Sequence, residues 1–341
     1  MDFLTRKAVN LVSLTHLSKF LMRQIFFFVL LFSVTVLLPI SNASALDQPL
    51  EGPGGADYLH ENLITNSYGS GAKKYYLFEP DEPKPATAPL IVFAHGLYAT
   101  SPIFYEVWIN HLVKKGNIVV YPVYQGVFPA FSMYSSNAVQ SVLDAIEVLQ
   151  TEDHVRPDLD KFAIVGHSCG GVIAPNIAAM AEEYGLPSPD AVMTIAPGIT
   201  PIINFKDLSK IPSETLLLVV TGDNDSMAGS RDAKKVFKRS TQIPPENKDY
   251  ITLVSDRNGP SSLTATHFLS CCIPGIGDSM PMFATNALDC YGLWKLFDGL
   301  TDAAFYGINR EYALGDTPEQ RHMGEWDDGT PREELKVTDN P

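Results

Sequence analysis

The sequence has few basic residues. It carries 25 Lys and Arg against 39 Asp and Glu, a formal net charge of −14, and we expect no basic cluster to offset this acidity. Proteins that bind nucleic acid neutralise its phosphates with basic side chains. This composition therefore argues against nucleic acid as a partner.

Internal repeats and low-complexity blocks are also absent, which argues against a repeat architecture or a disordered chain. Hydrophobic residues make up 45% of the 341 residues. A chain of this length and composition can bury the core of one large domain or two small ones.

No apolar run reaches the roughly 20 residues that a membrane-spanning helix needs. The run over residues 25–40 has 16 residues, follows Lys19 and Arg23, and precedes Ala43-Ser44-Ala45. This pattern predicts a secretory signal peptide over residues 1–45. The expected mature chain has a net charge of −17 and is secreted or periplasmic, with no stable membrane anchor. A permanent anchor at residues 25–40 is the alternative, and Met22 is a second candidate start.

Cysteines are scarce, four in all. Because an oxidising compartment permits disulfides, the cluster of Cys271, Cys272 and Cys290 predicts one bridge between Cys290 and either neighbour. Cys169 is expected to stay reduced and buried. The spacing of these cysteines and His267 matches no paired zinc-ligand motif, so neither a metal nor another cofactor is predicted.

From residue 58 onward, strand and helix patterns alternate, which predicts a mostly parallel sheet with helices on both faces. An antiparallel opening is predicted over residues 58–65 and 73–78, and an extended surface wrap from Gly315. Strands are predicted at 90–93, 117–121, 162–165, 191–195, 215–221 and 250–254, and helices at 102–115, 136–150, from 172, near 230–238, and within 285–305.

A Gly-x-Ser-x-Gly motif joins one predicted strand to the helix that follows it, in "KFAIVGHSCGGVIAPNIAAM". Glycines two residues before and after Ser168 let strand and helix approach closely. This places the serine on a sharp, strained turn with its hydroxyl exposed. Such a nucleophile elbow is typical of serine hydrolases, although a tight strand-to-helix turn without catalytic function has the same pattern.

A serine nucleophile needs a histidine base and an acid that orients it. His267, in the loop after the last predicted strand, is favoured over His322 in the polar tail. The acid is expected where "LLLVVTGDND" ends, because catalytic groups gather at the carboxyl ends of strands. Asp223 and Asp225 both lie there; Asp225 is favoured, and the other aspartate is expected to stabilise the turn.

The stretches "LIVFAHGLYATSPIFYEVWINHLVKKGNIVVYPVYQ", "VGHSCGG" and "VVTGDND" resemble the α/β-hydrolase superfamily of serine esterases and lipases, in its chlorophyllase-like, dienelactone-hydrolase-like and cutinase-like branches. The resemblance covers about residues 58–310. It implies the α/β-hydrolase fold and a triad of Ser168, Asp225 and His267, and it implies an oxyanion hole formed by the backbone N–H groups of Leu97 and Cys169. The predicted catalytic domain spans residues 46–312, followed by a polar C-terminal tail over 313–341.

The predicted function is hydrolysis of small or polymeric carboxylic esters through an acyl-enzyme on Ser168. A peptidase or thioesterase on the same fold is the alternative, and a catalytically silent binding protein is the alternative from another class. Two apolar loops predict a hydrophobic substrate mouth with Phe128, Phe131 and Phe268 as lining residues. Only 19 residues (196–214) join two successive predicted strands, too few for a large cap domain.

Overall fold

Nine strands form one mixed sheet in the computed structural model of the chain, which describes residues 48–126, 130–258, 262–277 and 280–341. The predicted signal peptide lies outside the described residues. In chain order the strands are β1 (Asn62–Tyr68), β2 (Tyr75–Asp81), β3 (Thr87–Ala94), β4 (Ile118–Pro122), β5 (Arg156–His167), β6 (Ala191–Ile195), β7 (Leu216–Gly222), β8 (Lys248–Leu253) and β9 (Lys336–Thr338).

The strand order across the sheet is β1-β2-β4-β3-β5-β6-β7-β8-β9. Strands β3 to β8 run parallel to one another, whereas β1, β2 and β9 pair antiparallel at the two edges. The central strands are buried on both faces, as expected when helices cover a parallel sheet. The predicted α/β-hydrolase architecture is therefore confirmed.

Helices connect the parallel strands and cover the sheet. They are α1 (Glu106–Lys114), α2 (Tyr134–Val148), α3 (Cys169–Tyr184), α4 (Arg231–Arg239), α5 (Lys295–Tyr306) and the short α6 (Pro318–Arg321). A π-helical segment, Leu288–Trp294, leads into α5. Short 3-10 turns lie at Gly71–Lys73, Pro102–Phe104, Phe131–Met133, Leu208–Lys210, Pro245–Asn247, Pro281–Phe283 and Arg310–Tyr312. In the described part of the chain, no helix is both long and apolar enough to cross a membrane.

The opening hairpin lies further along the chain than predicted. Its strands pair from Asn62 with Asp81 to Tyr68 with Tyr75, so the turn spans residues 69–74. The rings of Tyr68 and Tyr75 stack with their centroids 5.6 Å apart. This cross-strand pair extends β1 as far as Tyr68, directly before the turn.

The single helix predicted over residues 102–115 is interrupted at Tyr105. A 3-10 turn, Pro102–Phe104, precedes that residue, and α1 begins at Glu106. Tyr105 leaves the helical region with φ −129° and is 1% exposed. The break turns the Tyr105 side chain into the core, where its hydroxyl accepts a hydrogen bond from the Gly96 N–H.

The C-terminal tail is not the extended surface wrap that was predicted, because part of the tail belongs to the sheet and to the core. Strand β9 pairs antiparallel with β8, and Met323 and Leu335 are buried. The Lys295 ammonium group donates to the carbonyls of Glu319 and Gln320 at 3.0 and 2.9 Å. These contacts attach residues 318–338 to α5 and to the edge of the sheet.

Candidate active site

Ser168 lies on the sharp turn between β5 and α3. Its φ is 58° and its ψ −114°, a backbone conformation that is strained for a residue with a side chain. Its N–H donates to the carbonyl of Ile195 at the end of β6, and its own carbonyl accepts from the Gly198 N–H. The elbow geometry predicted from the motif is confirmed.

The flanking glycines are required by close backbone approach. A Cβ at Gly166 would lie 2.2 Å from the Gly170 carbonyl oxygen, and one at Gly170 would lie 1.9 Å from the carbonyl oxygen of Ala94. No side chain fits at either position without displacing backbone. The glycines thus let the first turn of α3 pack directly against β3 and β5.

Two hydrogen bonds connect Ser168, His267 and Asp225. The serine Oγ lies 2.8 Å from His267 Nε2, and His267 Nδ1 lies 2.8 Å from Asp225 Oδ2. All three residues are at least nine-tenths buried. With Nδ1–H donating to the carboxylate, Nε2 is the acceptor for the serine proton, the arrangement that a general base needs.

Asp225 is held ionised by its surroundings. Burial raises its pKa, but the hydrogen bond and charge of His267 and the N–H groups of Met227 and Ala228 outweigh burial and lower the pKa below its ordinary value. Those two N–H groups donate to Oδ1 at 2.8 and 2.9 Å. The carboxylate therefore keeps Oδ2 for the imidazole.

The rival residues lie elsewhere. Asp223 accepts hydrogen bonds from the N–H and hydroxyl of Ser255, the latter at 2.5 Å, so it stabilises the turn after β7. His322 packs against Tyr291, with ring centroids 6.1 Å apart. The geometry therefore brings together the favoured residues rather than their alternatives.

The His95-Gly96-Leu97-Tyr98 turn after β3 is fixed from several sides. The Gly96 N–H donates to the Tyr105 hydroxyl at 3.0 Å, and the Tyr98 N–H donates to Gln125 Oε1 at 2.7 Å. Within the described residues, the N–H groups of Leu97 and Cys169 donate to no other group. Both predicted oxyanion donors thus stay available for a ligand.

Gln125 was missed by sequence reasoning. It follows β4, is 4% exposed, and its Nε2 lies 3.4 Å from the Gly96 carbonyl while Oε1 accepts from Tyr98. The Gln125 side chain therefore contacts the peptide groups on both sides of Leu97. The only available signal was a polar residue just beyond the end of a buried parallel strand.

A second buried chain of hydrogen bonds runs beneath the site and was also missed. Tyr105 Oη accepts from the Gly96 N–H and lies 2.9 Å from His167 Nδ1, while His167 Nε2 lies 2.7 Å from the His267 carbonyl oxygen. Burial lowers the pKa of His167 to about 3. A neutral His167 therefore accepts from Tyr105 and donates to His267.

The predicted disulfide was wrong: no disulfide joins cysteines in the described residues. The Cys272 thiol instead donates to the buried Asp289 carboxyl at 2.9 Å. Burial raises the pKa of Asp289 to about 7 and that of Cys271 to about 12. Cys169 is buried and carries a thiol, as predicted.

Two of the predicted lining residues are half-buried, and one of them, Phe268, contacts His267 of the candidate triad. The Phe268 ring lies edge-on to His267, with centroids 5.7 Å apart, and also contacts Phe283. Phe131 packs against Tyr134 at 5.3 Å. Phe128 lies outside the described residues.

The family model for Chlorophyllase matches residues 59–203. The chain has the α/β-hydrolase fold. The match confirms the resemblance to chlorophyllase-like α/β-hydrolases and indicates an ester hydrolase. It covers Leu97, Ser168 and Cys169 but ends before Asp225 and His267, for which the geometry above is the evidence. No curated protein matches this α/β-hydrolase chain.

Proposed function

We propose that this α/β-hydrolase cleaves carboxylic esters through an acyl-enzyme on Ser168. The observation that carries the proposal is the hydrogen-bonded series Ser168 Oγ, His267 Nε2, His267 Nδ1 and Asp225 Oδ2, with 2.8 Å at both links. The chlorophyllase family match supports the ester class.

The first half-reaction transfers the acyl group. His267 Nε2 takes the serine proton while Oγ attacks the ester carbonyl carbon. The carbonyl oxygen becomes an oxyanion that accepts hydrogen bonds from the Leu97 and Cys169 N–H groups, each worth about 3 to 4 kcal/mol in comparable cases. The C–O bond then breaks, and Nε2–H gives its proton to the departing alcohol.

Water completes the cycle. His267 Nε2 removes a proton from water, whose oxygen attacks the acyl carbon; the bond to Ser168 Oγ breaks and serine recovers its proton. Asp225 accepts from Nδ1–H throughout and stabilises the imidazolium formed at each step. The carboxylate itself is held by Met227 and Ala228, so its orientation is fixed before substrate binds.

Hydrophobic esters are the proposed substrates. Phe268 and Phe131 are half-buried aromatic side chains in loops that follow His267 and β4, the strand ends where an α/β sheet binds ligands. Burial of acyl or alcohol carbons there would contribute about 0.8 kcal/mol per CH₂.

Export is proposed on the sequence pattern of residues 1–45. N-terminal sequencing of protein from the periplasm or culture medium tests it, and a mature chain beginning near Leu46 is the expected result. An intact chain found only in the membrane fraction would contradict export and favour the anchor alternative.

The function is tested by labelling the purified protein with a fluorophosphonate and assaying an ester panel. Wild-type protein should label on Ser168 and hydrolyse esters, and Ser168→Ala should lose both, with kcat falling by a factor on the order of 10⁶ as in triad knockouts. Thioester or peptide turnover without ester turnover would favour the alternative enzymes. Absence of labelling and of all three activities would favour a silent binding protein.

A further inference from the structure

Helix α4 is strongly basic in an acidic protein. Its nine residues, Arg231–Arg239, include five Lys and Arg and a single acid, Asp232, whereas the whole chain has a net charge of −14. The expectation that no basic cluster offsets the acidity is corrected here. The sequence shows that these basic residues lie close together along the chain. The helix is what places residues four apart on the same face.

Three of the cations line one groove. Arg231, Lys235 and Arg239 are four residues apart and so share one face of α4. They form one wall of a cavity of about 330 Å³, and Thr200, Asn204 and Phe205 are on the loop opposite. A volume of this size lies in the range of small-ligand sites.

The acid in this helix offsets one of the three groove charges, because Asp232 forms ion pairs with both Arg231 and Lys235. Asp232 is 1% exposed and accepts hydrogen bonds from the Thr200 hydroxyl and from Lys235, the latter at 2.8 Å. Arg231 uses Nε towards Asp232 and Nη2 towards the Thr200 carbonyl, while its side chain stays 66% exposed. Its Nη1 group forms no hydrogen bond within the described residues.

The Arg239 side chain has neither a hydrogen bond nor an ion pair within the described residues. Like charges four residues apart destabilise a helix, and Arg231 at the first position also opposes the helix dipole. The charge stripe therefore reduces helix stability, and nothing in the described structure compensates for it at Arg239.

We propose that the groove between α4 and the 200–205 loop binds a small dianion, with phosphate or carboxylate groups held by Arg231, Lys235 and Arg239. The guanidinium fork matches either group bidentately. Phe205 and Pro201 give the groove an apolar side, which suits a ligand with a ring or short hydrocarbon body. The site is separate from Ser168 and does not depend on the proposed hydrolysis.

Isothermal titration calorimetry at low ionic strength tests this with two aromatic dianions, phenyl phosphate and phthalate. At least one should bind with one site per chain, and the stronger binder identifies the group preferred. Arg231→Gln/Arg239→Gln should weaken binding about tenfold or more, since it removes two guanidinium groups that form charge-assisted hydrogen bonds to an anion. Arg239→Gln alone, which breaks no contact in the described residues, should weaken it several-fold with the fold intact.

Lys234→Gln/Lys238→Gln is the matched control, because it removes two charges from the same helix outside the groove. Its affinity should stay within about twofold of wild type, as expected for exposed charges screened by solvent. Equal weakening by both double variants would overturn the proposal in favour of diffuse attraction to the helix. It is also overturned if neither dianion binds at millimolar concentration, or if Arg239→Gln binds as wild type does. Ser168→Ala should bind normally, which separates this result from the test of hydrolysis.

Discussion

The side chain of His167 donates to the backbone carbonyl of His267, with 2.7 Å between Nε2 and the carbonyl oxygen. The residue before the proposed nucleophile thus holds the main chain of the proposed base. Through Tyr105, the same imidazole is joined to the N–H of Gly96 in the oxyanion turn. The proposed nucleophile, base and oxyanion donors share one buried support, and its geometry limits how far they can move apart.

Removing one hydroxyl from that support should slow the reaction. We expect Tyr105→Phe to lower kcat about tenfold with a smaller change in KM. Gly96 and His167 would both lose a buried hydrogen-bond partner, and leaving such a group unsatisfied costs about 1–3 kcal/mol of stability each. Steady-state kinetics and urea unfolding measure the two effects. Tyr250→Phe is the control, since Tyr250 is buried at β8 with its hydroxyl near Thr221; it should cost stability and leave kcat unchanged. An equal kcat for Tyr105→Phe and wild type would contradict the positioning role.

The two aspartates after β7 should respond differently to the same substitution. Asp225→Asn should lower kcat by a factor on the order of 10⁴, since an amide selects the wrong tautomer of the imidazole. Asp223→Asn should affect stability, through its bonds to Ser255, and change kcat little. Ester kinetics of both variants decides between them, and a larger kcat loss in Asp223→Asn would reverse the assignment of the acid.

Burial of His167 should make stability depend on pH. Its pKa is lowered from 6.5 to about 3 by burial, with His267 adding to the effect, so the unfolded chain binds a proton that the folded chain does not. The contribution of neutral His167 to the free energy of unfolding is therefore complete above pH 6.5 and is lost progressively as the pH falls towards 3. The free energy of unfolding lost in His167→Gln should therefore be about 2 kcal/mol larger at pH 7 than at pH 5. Urea unfolding at both pH values measures this, and a pH-independent loss would show that His167 does not titrate in this window.

Thiol chemistry should match the corrected cysteine assignment. All four cysteines are buried, and burial keeps thiols protonated and inert. Without reductant, Ellman's reagent should detect almost no thiols in native protein and four per chain in denaturant. Two thiols in denaturant would mean that a disulfide forms after all. In Cys272→Ser, three thiols would then show that Cys272 is one of the bridged residues, and a single thiol would show that it is not.

Substrate preference should follow acyl length. For p-nitrophenyl esters, kcat/KM is expected to rise from acetate to butyrate or hexanoate, since each buried CH₂ contributes about 0.8 kcal/mol. Phe268→Ala should flatten this trend, whereas Met282→Ala, at a side chain 39% exposed, should not. No jump in rate is expected at the solubility limit of the ester. A falling trend would contradict a hydrophobic mouth, and a sharp jump would indicate a lid.

The fold and the proposed triad could be predicted from the sequence because both depend on local signals. Ala191–Ile195 is a strand with the predicted limits, since a short apolar run bounded by turns can be recognised as a buried strand from the sequence alone. Ser168 was found because its glycines report a backbone constraint. These signals need no knowledge of distant contacts.

Residues that act through distant partners left no such signal. The role of His167 depends on a partner 100 residues later, and that of Gln125 on a turn 27 residues earlier. The groove cations face a loop about 30 residues upstream. The disulfide was predicted wrongly because proximity in sequence says nothing about what else a thiol meets, here the carboxyl group of Asp289.

Strand β9 has a consequence for the protein during its synthesis. It pairs with β8 across more than 80 intervening residues. At about 5–20 residues per second, the ribosome needs about 4 to 16 s to make that segment. Throughout this interval, the outer backbone groups of β8 have no partner strand and can pair with another nascent chain. Chaperone binding to the emerging polypeptide should therefore matter most between the synthesis of residue 253 and that of residue 336.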